Sequence, residues 1–102
     1  MKKPLNIQIR QDELIQLCQH NHIQRLAVFG SVLREDFRAD SDVDVLVEFE
    51  PDAHIGWEFV AIQDALTSLL GREVDLHTPQ SLSRHFRDKV LYQAEVIYER
   101  AG

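Results

Sequence analysis

The amino-acid sequence predicts an α/β domain, in which a small sheet is flanked by helices. Short apolar segments of strand length alternate with longer segments whose apolar residues recur at helical spacing. The chain has 102 residues, of which 44% are hydrophobic, so it is long enough to bury a core of its own. We therefore expect residues 1–102 to form a single domain.

The first half of the chain is predicted to contain two helices separated by a strand. In 11–20, apolar residues recur at helical spacing and acidic residues come early, which predicts a helix. The compact apolar segment 23–29 predicts a buried strand. Gly30 then opens a turn, and a short helix is expected over 32–36.

The second half contains the clearest strand and the longest helix. In 43–49, apolar residues occupy every second position and so share one face of a strand. The apolar face of 57–70 predicts a helix, and Gly71 suits the left-handed position that follows a helix end. The remaining predicted elements are a strand at 73–77, a helix at 82–92 and a last strand at 95–98.

Composition limits the classes of partner. The formal net charge is −6 and no basic stripe is present, so we do not expect the chain to bind long nucleic acid unaided. A metal-bound small substrate or a basic protein partner suits an acidic chain. No apolar run is long enough to span a membrane, the N-terminus lacks the apolar segment of a secretory signal, and Cys18 has no internal partner. These features favour the cytoplasm.

The residues with the strongest chemical signal lie between two predicted strands. Gly30 and Ser31 form a turn ahead of a helix, and ten residues separate Ser31 from the pair Asp42 and Asp44. A glycine lets the backbone approach a ligand, although an ordinary turn with a serine cap would look the same. Asp42 and Asp44 point to the same side of the strand, where two carboxylates repel each other unless a cation lies between them.

Oxygen ligands of this kind suit Mg²⁺ together with substrate phosphates. A calcium-binding loop is excluded, because its sixth position requires Gly where the chain has Val45 and its twelfth requires Glu where the chain has Pro51. Asp75, in the strand EVDLH, is a third candidate ligand, although an Asp on an exposed strand face would also explain it.

The joint pattern resembles that of the DNA polymerase β-like nucleotidyltransferase superfamily: Gly-Ser, ten residues, Asp-x-Asp on a strand, then an Asp on another strand. The segments AVFGSVLRED, SDVDVLVEF, REVDLHTPQSL and AEVIYE extend the resemblance over nearly the whole chain, toward the minimal nucleotidyltransferases (MNT). Members of this branch act as antitoxins beside HEPN-domain toxins. His77 departs from the pattern, since an apolar strand residue is expected there, and it leaves the three carboxylates unchanged.

The resemblance implies a small mixed sheet and the transfer of a nucleotide from ATP to an acceptor hydroxyl. Two Mg²⁺ ions would be bridged by Asp42 and Asp44, and Asp75 would complete the metal that activates the acceptor. These three residues are therefore the expected catalytic and metal-binding set.

The resemblance also implies which residues would bind the nucleotide. Gly30 and Ser31 would hold the β- and γ-phosphates, and Arg34 is a candidate for a phosphate contact because a guanidinium grips phosphate bidentately. Pairing of Arg34 with a nearby carboxylate is the alternative for that residue.

The acceptor is expected on another protein, because only 27 residues follow Asp75. The first hypothesis is that the chain adenylylates a tyrosine hydroxyl of a cognate HEPN ribonuclease toxin and so neutralises it. The alternatives are an antitoxin that masks the toxin by stoichiometric binding, and a homodimeric nucleotidyltransferase for a small molecule such as an antibiotic.

Other conspicuous residues are given no chemical role. Trp57 is expected as an anchor in the core or in an interface. The five histidines are expected to be ordinary surface or half-buried residues: His20, His22, His54, His77 and His85.

Overall fold

The computed structural model describes residues 9–33 and 42–100, which form a four-stranded mixed sheet with helices on both faces. The predicted α/β class is confirmed. The helices are α1 (Gln11–His20), α2 (Glu58–Leu70) and α3 (Arg87–Gln93), with short 3₁₀ helices at Gly30–Leu33 and Pro79–Ser81. The strands are β1 (Ile23–Phe29), β2 (Val43–Phe49), β3 (Val74–His77) and β4 (Glu95–Glu99).

The sheet has the strand order β3-β2-β1-β4. β1 is antiparallel to both of its neighbours, β2 and β4, whereas β2 and β3 are parallel and are connected through α2. Since parallel neighbours need a crossover connection, α2 must cross one face of the sheet between them. This parallel pair brings the starts of β2 and β3 to the same end of the sheet.

One face of the sheet carries the larger core. Val43, Val45 and Val47 alternate along β2 and are fully buried beneath α1 and α2, which contribute residues such as Leu14 and Leu66. Burial of each such side chain is worth about 1.5–3 kcal/mol, so this face fixes the register of β2. The alternate positions of the strand, including that of Asp44, are thereby directed to the opposite face.

The opposite face has a smaller core, and here the structure corrects the predicted helix over 82–92. Ala27 and Leu46 pack there against Leu82 and Val90. Leu82 has an extended backbone and is 6% exposed, and α3 begins only at Arg87. Burial of Leu82 on the sheet therefore overrides the local helical pattern, and a 3₁₀ turn capped by Thr78 precedes it.

Two further expectations are corrected or fall outside the described residues. Trp57 is 92% exposed and stands before the first residue of α2, which excludes the core alternative expected for it and leaves the interface alternative as a prediction. Of the short helix expected over 32–36, the structure shows a 3₁₀ helix ending at Leu33, and 34–36 lie outside the described residues. Among the helices described, none has the length and apolar character needed to cross a membrane.

Candidate active site at the β2–β3 end of the sheet

Gly30 follows β1 directly and lies against the side chain of Asp44. Its φ of +77° is in the left-handed region, which glycine adopts at little cost. A Cβ atom built on Gly30 would collide with Asp44 Oδ2. Gly30 is therefore required here both by its backbone conformation and by the close approach of a carboxylate.

Asp44 and Asp75 are brought together by the parallel register of β2 and β3. They are direct partners in the ladder, so both side chains leave the same face of the sheet. The side chain of Asp44 is 30% exposed and that of Asp75 is 64% exposed. Two carboxylates on neighbouring strands repel each other, and a cation between them would reverse that repulsion.

His77 adds a nitrogen donor to this pair. It follows Asp75 by two residues in β3 and so shares its face, with Nε2 lying 3.6 Å from Asp44 Oδ1 and 4.0 Å from Asp75 Oδ2. The imidazole also packs against the ring of Phe29, with centroids 5.4 Å apart. Nε2 is buried and has no hydrogen-bond partner among the described residues.

The environment changes the acidity of Asp44. Burial raises its pKa above the ordinary value of 3.8, His77 opposes this shift, and the carboxylates of Asp75 and Asp42 add to it. Desolvation and like charge thus both disfavour the ionised form of Asp44. A bound cation would favour the ionised form instead, which is the electrostatic condition of a metal site.

The donor atoms fit a divalent cation. One atom from each of Asp44, Asp75 and His77 lies within 4.8 Å of the other two, so one ion could contact all three. Mg²⁺ usually takes one or two carboxylates and completes its shell with water and substrate phosphates. The exposure of Asp75 leaves one side of the site open to a substrate.

The remaining predicted site residues are placed differently. Asp42 lies one residue before β2 and is exposed, and it is outside the ligand group formed by Asp44, Asp75 and His77. Ser31 follows Gly30 in the 3₁₀ helix, and Arg34 lies outside the described residues. The structure thus brings Gly30 next to Asp44, the ladder partner of Asp75.

His77 is the residue of this cluster that the sequence analysis did not assign to the site. A signal for it was present, because side chains two residues apart in a strand share a face and Asp75 was already a candidate ligand. Its distance from Asp44 depends on the pairing of β2 with β3, which one strand alone does not reveal.

Comparisons of this chain with known families, sequences and structures agree on one family. Residues 12–101 match the family described as polymerase beta, nucleotidyltransferase. The chain is 38% identical over 76 residues to the protein adenylyltransferase MntA of Thermococcus cleftensis, covering 74% of each chain. It is 36% identical to a solved structure provisionally assigned as a minimal nucleotidyltransferase, with a TM-score of 0.68 over 83% of this chain and 86% of that one.

More distant structures share the fold. A toxin–antitoxin crystal structure with AMP-PNP has a TM-score of 0.69 at 23% identity, covering 90% of this chain and 75% of the other. A tri-AMPylated Shewanella oneidensis HEPN toxin in complex with MNT antitoxin has a TM-score of 0.56 at 24% identity, covering 88% of this chain and 70% of the other. At these identities the likeness establishes the fold.

Proposed function

The chain belongs to the polymerase beta nucleotidyltransferase family, and we propose that it transfers AMP from ATP to a tyrosine hydroxyl of a cognate HEPN ribonuclease toxin, which neutralises the toxin. The observation that carries the proposal is the pair Asp44 and Asp75, aligned on adjacent parallel strands with Gly30 against Asp44. A cluster of like charges beside a required glycine has no evident role in packing. It suits a metal-bound triphosphate.

Support for the acceptor comes from the relatives. The similar Thermococcus cleftensis protein is named a protein adenylyltransferase, and a neighbour on the same fold was solved as an antitoxin with an AMPylated HEPN toxin. ATP as the donor is supported by the neighbouring toxin–antitoxin structure with AMP-PNP. We place the reaction in the cytoplasm and assign no role to long nucleic acid, in keeping with the net charge of −6.

In the proposed reaction, the acceptor oxygen attacks the α-phosphorus of ATP, and the bond from that phosphorus to the bridging oxygen breaks to release pyrophosphate. Bound Mg²⁺ would neutralise phosphate charge and lower the pKa of the attacking hydroxyl. Asp42, Asp44 and Asp75 would hold the metal. Asp75 would accept the hydroxyl proton, and its greater exposure among the two strand carboxylates supports this role.

The nucleotide would lie along the turn after β1. We assign Gly30 and Ser31 to the β- and γ-phosphates and Arg34 to a phosphate contact. The close packing of Gly30 on Asp44 supports this arrangement, because Gly30 itself has no side chain to stand between the backbone of the turn and that carboxylate. Positioning of the reactants and neutralisation of charge would then supply most of the rate enhancement.

The test is a transfer assay with the cognate toxin, labelled ATP and Mg²⁺. We expect label on the toxin, a mass increase of one or more AMP groups on a tyrosine, and loss of its ribonuclease activity. The double variant Asp42→Ala/Asp44→Ala should give none of these. Neutralisation without label by both proteins would contradict the proposal.

Stoichiometric masking is the second candidate, because large apolar side chains are exposed beside the smaller core. Leu91 and Tyr92 on α3 and Val96 on β4 are 42%, 91% and 50% exposed. Such side chains suit contact with another protein. Titration separates the two functions, since an enzyme should silence excess toxin at trace amounts, whereas a masking protein must match it mole for mole.

A further inference from the structure

His77 lies in the active site without a place in the proposed three-carboxylate set. We propose that His77 Nε2 binds the same divalent cation as Asp44 and Asp75, and that this nitrogen makes the site select Mn²⁺ over Mg²⁺. The inference rests on the metal site of the proposed function, but it requires no particular acceptor.

The distances fit a shared ion. In an octahedral site with bonds of about 2.1–2.2 Å, neighbouring donors lie about 3.0 Å apart and opposite donors about 4.3 Å apart. The separations of His77 Nε2 from Asp44 Oδ1 and Asp75 Oδ2, 3.6 and 4.0 Å, lie between these limits. Asp75 is exposed, so small rotations of its carboxylate can complete the geometry.

A hydrogen bond does not account for the position of His77. The separation of 3.6 Å between Nε2 and Asp44 Oδ1 is too long for one, and Nε2 has no such partner among the described residues although the atom is buried. Buried polar atoms are normally paired. An imidazole nitrogen within 4.0 Å of two carboxylates and without a hydrogen bond suits a metal ligand.

The rest of the environment holds the ring in place. The imidazole packs on Phe29 at an interplanar angle of 59°, and it is carried by β3, whose register places Asp75 beside Asp44. His77 therefore needs no backbone rearrangement to bind an ion in this position. A ligand on a sheet strand is also positioned more reproducibly than one on a loop.

The chemistry of the ligand atoms determines which metal ion the site prefers. Carboxylates and water suit Mg²⁺ and Mn²⁺ alike, whereas imidazole nitrogen favours transition metals. Mn²⁺ combines the octahedral geometry and oxygen ligands of Mg²⁺ with a greater tolerance for nitrogen. One nitrogen beside two carboxylates should thus raise affinity for Mn²⁺ more than for Mg²⁺.

The test measures binding of each metal alone, with and without AMP-PNP, by calorimetry and by electron paramagnetic resonance of Mn²⁺. We expect bound Mn²⁺ in the wild-type chain to show electron spin echo modulation from a directly coordinated ¹⁴N nucleus. His77→Leu, which keeps an apolar contact with Phe29, should lose that modulation. It should bind Mn²⁺ about tenfold more weakly or worse, with a much smaller change for Mg²⁺.

His85→Leu is the matched control, because His85 is exposed and lies outside the ligand group. It should keep the nitrogen signal and both affinities. A wild-type Mn²⁺ spectrum without nitrogen coupling, an unchanged metal preference in His77→Leu, or no Mn²⁺ binding by wild type would overturn the inference. The wild-type spectrum provides this test even if His77→Leu folds poorly.

The proposed function is judged separately, by transfer of AMP to the toxin in Mg²⁺. Transfer by a wild-type chain whose bound Mn²⁺ shows no nitrogen coupling would overturn the role of His77 and leave the proposed function standing. Nitrogen coupling in a chain that transfers no AMP would support the role of His77 and contradict the proposed function.

Discussion

Two carboxylate pairs occupy opposite ends of the same face of the sheet, and they differ in the basic side chain beside them. At one end, Asp44 and Asp75 face His77. At the other end, Arg25 Nη1 lies 3.1 Å from Glu48 Oε2 and Arg25 Nε lies 2.8 Å from Glu99 Oε2. Asp44 and Glu48 belong to the same strand and are separated by Leu46 on that face.

This difference in the neighbouring basic side chain distinguishes a structural ion pair from a candidate metal site. A guanidinium is always charged, so Arg25 permanently offsets one of the two glutamate charges while contacting both carboxylates, and a metal ion has less to gain there. An imidazole is charged only when protonated, and burial raises the pKa of Asp44 despite the presence of His77. The Asp44 end is therefore a place where an external cation would stabilise the folded chain, whereas the Arg25 end already contains a permanent cation.

The largest expected effect comes from removing one carboxylate at each end. Asp44→Asn should lower AMP transfer to the toxin on the order of 10²–10³-fold or more, because it removes a proposed metal ligand. Glu48→Gln, the matched change on the same strand and face, should alter the rate by about twofold or less. The measurement is the initial rate of toxin labelling. Equal losses in both variants would mean that the two ends do not differ in function.

A second pair of variants separates two effects of replacing a glycine: displacement of the Asp44 carboxylate and strain in the backbone. Gly30 and Gly71 both have left-handed φ angles, +77° and +70°, but a Cβ on Gly71 would meet nothing within 4 Å. Alanine at either position should cost about 1–2 kcal/mol of the free energy of unfolding. Only Gly30→Ala should also displace the Asp44 carboxylate, and hence weaken metal binding and transfer.

Denaturant unfolding gives the shared stability cost, and calorimetry with Mn²⁺ gives the difference between the two variants. If Gly71→Ala weakened metal binding as much as Gly30→Ala, the loss would come from backbone strain. The close approach of Gly30 to Asp44 would then have no functional meaning.

The contrast between the two ends could be predicted only in part from sequence. Period-two alternation in 43–49 predicts that Asp44 lies on the face opposite the valines, and the structure confirms that strand and its buried face. The alignment of Asp44 with Asp75 needs β2 and β3 to be parallel and in one particular register. Register is set by packing against α2, which is a nonlocal property of the chain.

The same limit explains why the helix predicted over 82–92 begins later and why Trp57 is not in the core. Leu82 has a good local pattern for a helix, but its burial on the sheet decides its conformation. Trp57 has the residue type of a core anchor, but it stands ahead of α2 and is exposed. In both cases a local preference competes with a tertiary contact, or with the lack of one, that single-sequence patterns do not contain.

The smallest expected effects are on the stability of the folded chain in the absence of metal. Removing the charge of Arg25 should lower that stability, whereas removing the charge of Asp44 should raise it. Arg25→Met removes ion pairs with Glu48 and Glu99, and because Arg25 is 40% exposed the loss should be under about 1 kcal/mol and smaller at high salt. Asp44→Asn removes a carboxylate whose ionisation the fold disfavours. It should therefore slightly raise the melting temperature at neutral pH in the presence of a chelator.

The pH dependence fixes the sign of the Asp44 effect. A raised folded-state pKa means that the protonated carboxyl favours the fold below 3.8, and that this contribution is lost as pH rises through the folded-state value. The gain in stability of Asp44→Asn over wild type should hence appear at pH values above the folded-state pKa of Asp44 and shrink in acid. Added Mn²⁺ should reverse it by stabilising only the wild-type chain. An Asn variant that is less stable than wild type at neutral pH without metal would show that His77 already compensates Asp44, as Arg25 does Glu48.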